Sequence, residues 1–226
     1  MFDLHSIPIG IYEKALPDSF SWEQKFLAAR TAGYSHIELS VDESDRRLAR
    51  LGWSDTEIEK IRTLSLQNGI AIPTLCLSAH RRFPFGSKDS TVRSHAMEII
   101  EKAILLAQRL GIRCIQLAAY DVYYEPSDTQ TVAFFLDGLR TAVTLATRAG
   151  VMLALEIMDT PFIGTISRGL AILEQIRSPY LKLYPDIGNL TQFADNVPAE
   201  LQKGIAEIAA IHIKETLPDK FKNVAF

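Results

Sequence analysis

The chain has 226 residues, 47% hydrophobic and 23% charged, with a formal net charge of −3 and a pI near 6.0. This is ordinary globular usage, enough for one sizeable core, and it excludes a generic polyanion binder because nucleic-acid domains carry a strong basic excess. The opening MFDLHSIPIG lacks a basic start followed by a long apolar stretch, and no run of about 18 apolar residues occurs, so a soluble cytoplasmic protein without a membrane partner is expected.

Strand and helix signals alternate from residue 7 onward without a linker or low-complexity tract, which predicts a single domain over 1–226. A first strand is expected at 7–12, then a helix opened by a capping box from Ser21 to Gln24. Strand two is expected at 36–41. Ser54 and Glu57 form a second capping box ahead of Ile58, Ile61 and Leu64 on one helical face, and Asn68-Gly69 ends that helix. Strand three is expected at 70–78. After a long loop, Met97, Ile100, Ile104 and Ala107 mark a helix closed by Gly111, and 114–118 is strand four. The clearest helical stripe is Val132, Phe135, Leu136, Leu139, Val143 and Ala146. Strands five, six and seven follow at 151–156, 181–186 and 208–212, separated by helices at 166–177 and 199–207. Cys76 and Cys114 lie in strand-like runs without CxxC spacing and read as buried, reduced thiols.

Each of the last three strands ends on a metal-ligand type of side chain: Glu156, Asp186 and His212, spaced 30 and 26 residues apart. Each spacing suits one helix, two loops and one strand, so the three runs read as successive parallel strands. A strand-end carboxylate or imidazole taken singly is most often only solvated. Three at one rim can converge on a divalent cation, because oxygen and nitrogen donors on rigid neighbouring strands reach an ion at about 2.0–2.2 Å.

Apolar residues at both odd and even strand positions imply a parallel sheet covered on both faces, either doubly wound or a (β/α)8 TIM barrel. The barrel is preferred, because a doubly wound sheet reverses its strand order and need not make strands five, six and seven neighbours. Alternation then puts Met152, Ala154 and Glu156 on the inner face, with Val151, Leu153 and Leu155 toward the helices; His212 and Lys214 point inward and Ile213 outward. No glycine-rich phosphate fingerprint follows any strand. After Lys214 twelve residues remain. A seventh helix, eighth strand and eighth helix take on the order of 50–70, so the barrel reads as incomplete, with a truncated or disordered C-terminal end.

The segments IPIGIYEKAL, SAHRRFPFGS, IQLAAYDVYYE, ALEIMDT, YPDIGN and IHIKET, in that order, resemble the L-ribulose-5-phosphate 3-epimerases, also called L-xylulose-5-phosphate 3-epimerases, of the xylose-isomerase-like TIM-barrel superfamily. The similarity runs from about residue 7 to 226. It implies an isomerase that converts L-xylulose 5-phosphate to L-ribulose 5-phosphate with one divalent ion, Zn, Mn or Mg, and a homodimer. In that family the metal is held by a Glu on strand five, an Asp on strand six, a His on strand seven and a Glu on strand eight. The first three match Glu156, Asp186 and His212; the fourth, also one of the two acid/base groups, falls beyond Phe226. Glu156 is then both a ligand and a catalytic acid/base. Candidate contacts to the sugar phosphate are His80, Lys214, Glu38, Arg81 and Arg82. Tyr12, Tyr120 and Tyr123 are expected to pack as wall or core, while His5, His36 and His95 fall away from the rim.

Two other readings compete. An apurinic endonuclease of the same superfamily has a second His three residues after the Asp, where this chain has Asn189. A non-catalytic truncated barrel binding metal or sugar phosphate is the other.

Overall fold

A computed structural model describes residues 7–216. Six parallel strands form one sheet in the order β1-β2-β3-β4-β5-β6: β1 (Gly10–Tyr12), β2 (His36–Val41), β3 (Thr74–Leu77), β4 (Cys114–Ala118), β5 (Met152–Ile157) and β6 (Leu181–Pro185). Every strand pairs with its sequence neighbour and the order never reverses, which is barrel winding; the doubly wound alternative is excluded. The helices are α1 (Trp22–Thr31), α2 (Asp45–Leu48), α3 (Asp55–Asn68), α4 (Ser90–Leu110), α5 (Thr129–Ala149), α6 (Ile166–Ile176), α7 (Ile187–Leu190) and α8 (Val197–Lys203). Among the described residues, no helix is long and apolar enough to cross a membrane.

Local chemistry sets the boundaries. Ser21 and Ser54 cap α1 and α3 through complete capping boxes with Gln24 and Glu57. Gly69, Gly111 and Gly150 end α3, α4 and α5 in the left-handed conformation that a side chain resists. Strands β1 and β3 are shorter than the apolar runs suggest. Pro8 and Pro73 lack the N–H that a continued ladder needs, so pairing becomes regular only after them.

The expected seventh strand is the larger difference. Segment 208–212 joins β6 through two isolated parallel bridges, Leu183 to Ile208 and Asp186 to His212, rather than a continuous ladder. The Ala209 and His212 N–H groups donate to Leu183 and Pro185, and the His212 carbonyl accepts from Ile187. Among the described residues this segment pairs on one side only, which leaves half of its backbone groups outside any ladder. The expectation of a truncated or disordered tail, and His5, lie outside the described residues.

Two apolar regions flank the sheet. The large core lies between strands and helices and contains Ile37, Leu39, Val41, Leu75, Leu77, Ile115, Leu153, Leu155 and Leu183. A smaller cluster of Cys114, Ala154 and Tyr184, with Met152 and Ala210 against it, fills the lumen. The predicted alternation on β5 is therefore observed, and both cysteines are buried and unpaired.

Candidate active site

Three elements place the candidate ligands. Glu156 is the penultimate residue of β5, level with Ala118 on β4 and Tyr184 on β6. Asp186 follows β6 as the N-cap of α7, where one oxygen accepts the Asn189 N–H at 2.9 Å. His212 sits opposite Asp186 through the parallel bridge. One donor atom from each lies within 4.8 Å of the others.

The surroundings compensate this concentration of negative charge. Lys214 Nζ lies 3.1 Å from Asp186 Oδ2 and donates to Asn189 Oδ1 at 2.6 Å, so its inward charge has a nearby carboxylate as partner. The Asn189 amide in turn donates to the Ile157 carbonyl at 3.0 Å. His212 is pinned between two acids, with Nε2 2.6 Å from Glu38 Oε1 and Nδ1 3.4 Å from Glu156 Oε1. Burial by itself lowers the imidazole's pKa, but the contacts with Glu156 and Glu38 outweigh it and hold His212 well above the ordinary histidine value. The His212 ring and the Lys214 side chain thus sit against the carboxylates. Two carboxylate oxygens and an imidazole nitrogen are a donor set that zinc, manganese or magnesium accepts, so the residues present fit a divalent ion.

The remaining sequence candidates separate. Glu38 was expected to touch substrate, but it is only 4% exposed, and one oxygen takes His212 while the other accepts the Tyr184 hydroxyl at 2.9 Å. Burial raises its pKa, and the His212 contact more than reverses this, so Glu38 is held low and ionised. His80, also expected as a substrate contact, is buried and packed. Its ring stacks on Phe85 at 4.3 Å, Nε2 bonds the Ala96 carbonyl at 3.1 Å, and burial pushes its pKa down to about 4. Arg82 is half exposed and pairs with the exposed Asp45 at 2.9 Å. Arg81 remains available: it stacks on Tyr123 at 4.7 Å and Tyr120 at 5.7 Å, its buried Nε has no partner, and its nearest carboxylate, Glu43, is 3.9 Å away. Tyr120 and Tyr123 form an edge-on pair, the wall expected of them. Tyr12 faces the lumen, bonded to Ser40 at 3.0 Å.

Tyr184 was missed. It lies two residues before Asp186 on the inward side of β6, so the alternation that located Glu156 contained the signal. Gln116, inward on β4 and fully buried with both amide atoms unpartnered, was also missed, since nothing local distinguishes it.

Comparison with known proteins shows the family. The family model described as xylose isomerase-like TIM barrel matches residues 26–225. The L-ribulose-5-phosphate 3-epimerase UlaE of Shigella boydii serotype 18 is 49% identical over 220 residues, covering 97% of this chain and 78% of that protein. The chain belongs to the L-ribulose-5-phosphate 3-epimerase family. It is an epimerase of the isomerase class on the xylose isomerase-like barrel. A solved D-psicose 3-epimerase, crystallised in the presence of D-fructose, superposes with a TM-score of 0.80 at 20% identity, over 92% of this chain and 73% of that one. A xylose isomerase-like TIM barrel protein from Mycobacterium smegmatis, in complex with magnesium, gives 0.71 at 19% identity over 95% and 76%. At these identities both show the shared fold.

Proposed function

We propose that this epimerase inverts carbon 3 of a ketopentose 5-phosphate, interconverting L-xylulose 5-phosphate and L-ribulose 5-phosphate, with a divalent cation held by Glu156, Asp186 and His212. The observation that carries the reading is the convergence of those three donors within 4.8 Å at the C-terminal rim of the strands, the end at which barrel enzymes do their chemistry. A bound cation would supply Lewis-acid polarisation of the ketone and offset charge that develops beside it.

The chain's own residues do the rest. The carbon-3 proton is acidic because the neighbouring carbonyl delocalises the electron pair left behind. Glu156 takes that proton on one face as general base, and inversion is completed when an acid returns a proton to the other face. The family resemblance assigns that second acid to a carboxylate on an eighth strand. Lys214 and Asn189 keep Asp186 oriented while the charge shifts. Arg81, braced by Tyr120 and Tyr123 and paired only at 3.9 Å with Glu43, is the group we assign to the phosphate.

The apurinic endonuclease reading is disfavoured by Asn189, whose side chain is already committed to Lys214 and Ile157 in the position where that family carries a histidine. The test is carbon-3 exchange in deuterated water. The protein should incorporate deuterium into L-ribulose 5-phosphate, lose this on chelation and regain it on metal addition. Glu156→Gln should reduce exchange by about 10²–10⁴-fold. Exchange that survives both chelation and Glu156→Gln would reject the assignment.

A further inference from the structure

We propose that Glu38 is the positioning residue of His212: a buried carboxylate that takes the imidazole Nε2–H and thereby presents Nδ1 to the cation shared with Glu156 and Asp186. The inference rests on the metal reading above and assigns the two ring nitrogens different tasks. Nε2 lies 2.6 Å from Glu38 Oε1, a short charge-assisted contact, whereas Nδ1 faces Glu156 Oε1 at 3.4 Å. Nδ1 is therefore the nitrogen on the Glu156 side of the ring, and Nε2 the one on the Glu38 side.

Glu38 is itself fixed. It projects from β2 into the lumen with 4% exposure, and its second oxygen accepts the Tyr184 hydroxyl at 2.9 Å. The Tyr184 ring also lies 4.6 Å from the His212 ring, and Tyr12 stands on the imidazole at 6.0 Å. A histidine in segment 208–212, which is joined to the sheet by isolated bridges, needs such side-chain support to hold one orientation. A carboxylate on the far nitrogen fixes the tautomer and raises the basicity of the near one, which strengthens its bond to a metal. With both oxygens engaged, Glu38 has the geometry of an orienting group rather than a fourth ligand.

The experiment is calorimetric titration of the metal-free protein with Zn²⁺, alongside ¹⁵N spectra of the Zn²⁺-loaded protein. Glu38→Gln should keep the far-UV circular dichroism of the parent and bind Zn²⁺ about 10–100-fold more weakly. Tyr184→Phe should weaken binding in the same direction by less. In the loaded parent, the His212 spectrum should show metal on Nδ1 and a proton on Nε2, a signature that a purely structural role for Glu38 does not require. Undiminished Zn²⁺ affinity in a folded Glu38→Gln, or metal on Nε2, overturns the proposal while leaving the three-ligand site intact. A parent protein that binds no Zn²⁺ at all overturns both. If Glu38→Gln does not fold, the parent spectrum still decides which nitrogen ligates.

Discussion

Arg81 is the side chain whose removal should separate recognition from chemistry. It stands beside the tyrosine wall, with no role in holding Glu156, Asp186 or His212. Arg81→Ala should raise KM for the ketopentose 5-phosphate by about 10- to 100-fold, the loss of charge-assisted hydrogen bonds, with little change in kcat. Equal KM values for parent and variant in a steady-state assay would remove Arg81 from the phosphate site. At this scale the sequence was most informative where strand alternation governs direction. Glu156, Asp186 and His212 each close an apolar run that reads as a strand, Lys214 follows two residues later on the same face, and all four meet. It was least informative for Glu38 and His80, whose partners come from elsewhere in the chain. Glu38 is 174 residues from His212, and His80 bonds a helix carbonyl that no local pattern specifies.

Among the elements, the junction of β1, β2, α1 and the 3₁₀ turn at Ala49–Gly52 is held by a buried charge cluster around Glu13. Glu13 receives Lys25 at 2.6 Å, Arg50 and the Ser40 N–H. Burial raises its pKa, but Arg50 and Lys25 overcome this and depress it below the ordinary glutamate value. A depressed carboxylate stabilises the fold above the unfolded-state pKa, about 4.3, and that contribution disappears as pH falls through the folded value. Stability measured by urea denaturation should therefore fall on acidification below about pH 4.3. Glu13→Gln should cost about 3–5 kcal/mol at neutral pH, by stranding buried cations, and should flatten that acid limb. An unchanged acid slope in the variant would show that Glu13 is not its source.

The rim loops after β3 and β4 are pinned together at Gly86, where a Cβ would lie 2.3 Å from the Asp121 carbonyl oxygen and 2.6 Å from that of Thr131. Because those neighbours are backbone, Gly86→Ala should cost roughly 1–3 kcal/mol in the same denaturation assay, and a change within about 0.5 kcal/mol would contradict the close approach. The elements themselves were readable where caps and periodicity agree, as at Ser21, Ser54, Gly69 and Gly111. Segment 208–212 was read as a full strand because its apolar run resembles one, but its backbone meets β6 only at Ile208 and His212, a register that composition does not report.

For the whole molecule, consecutive parallel pairing is what turns scattered ligands into a site. Barrel winding makes β5, β6 and the following segment adjacent, so residues 30 and 26 positions apart end at one rim. That architecture was visible in the strand–helix rhythm, and the family comparison and the strand order agree with it. The most direct test of the account is anomalous scattering from crystals of the protein grown with Mn²⁺ or Zn²⁺. The account predicts one difference peak lying about 2.0–2.2 Å from a Glu156 oxygen, an Asp186 oxygen and Nδ1 of His212. A fully metal-loaded crystal whose peaks lie elsewhere, with these three side chains turned away from a common point, would contradict it.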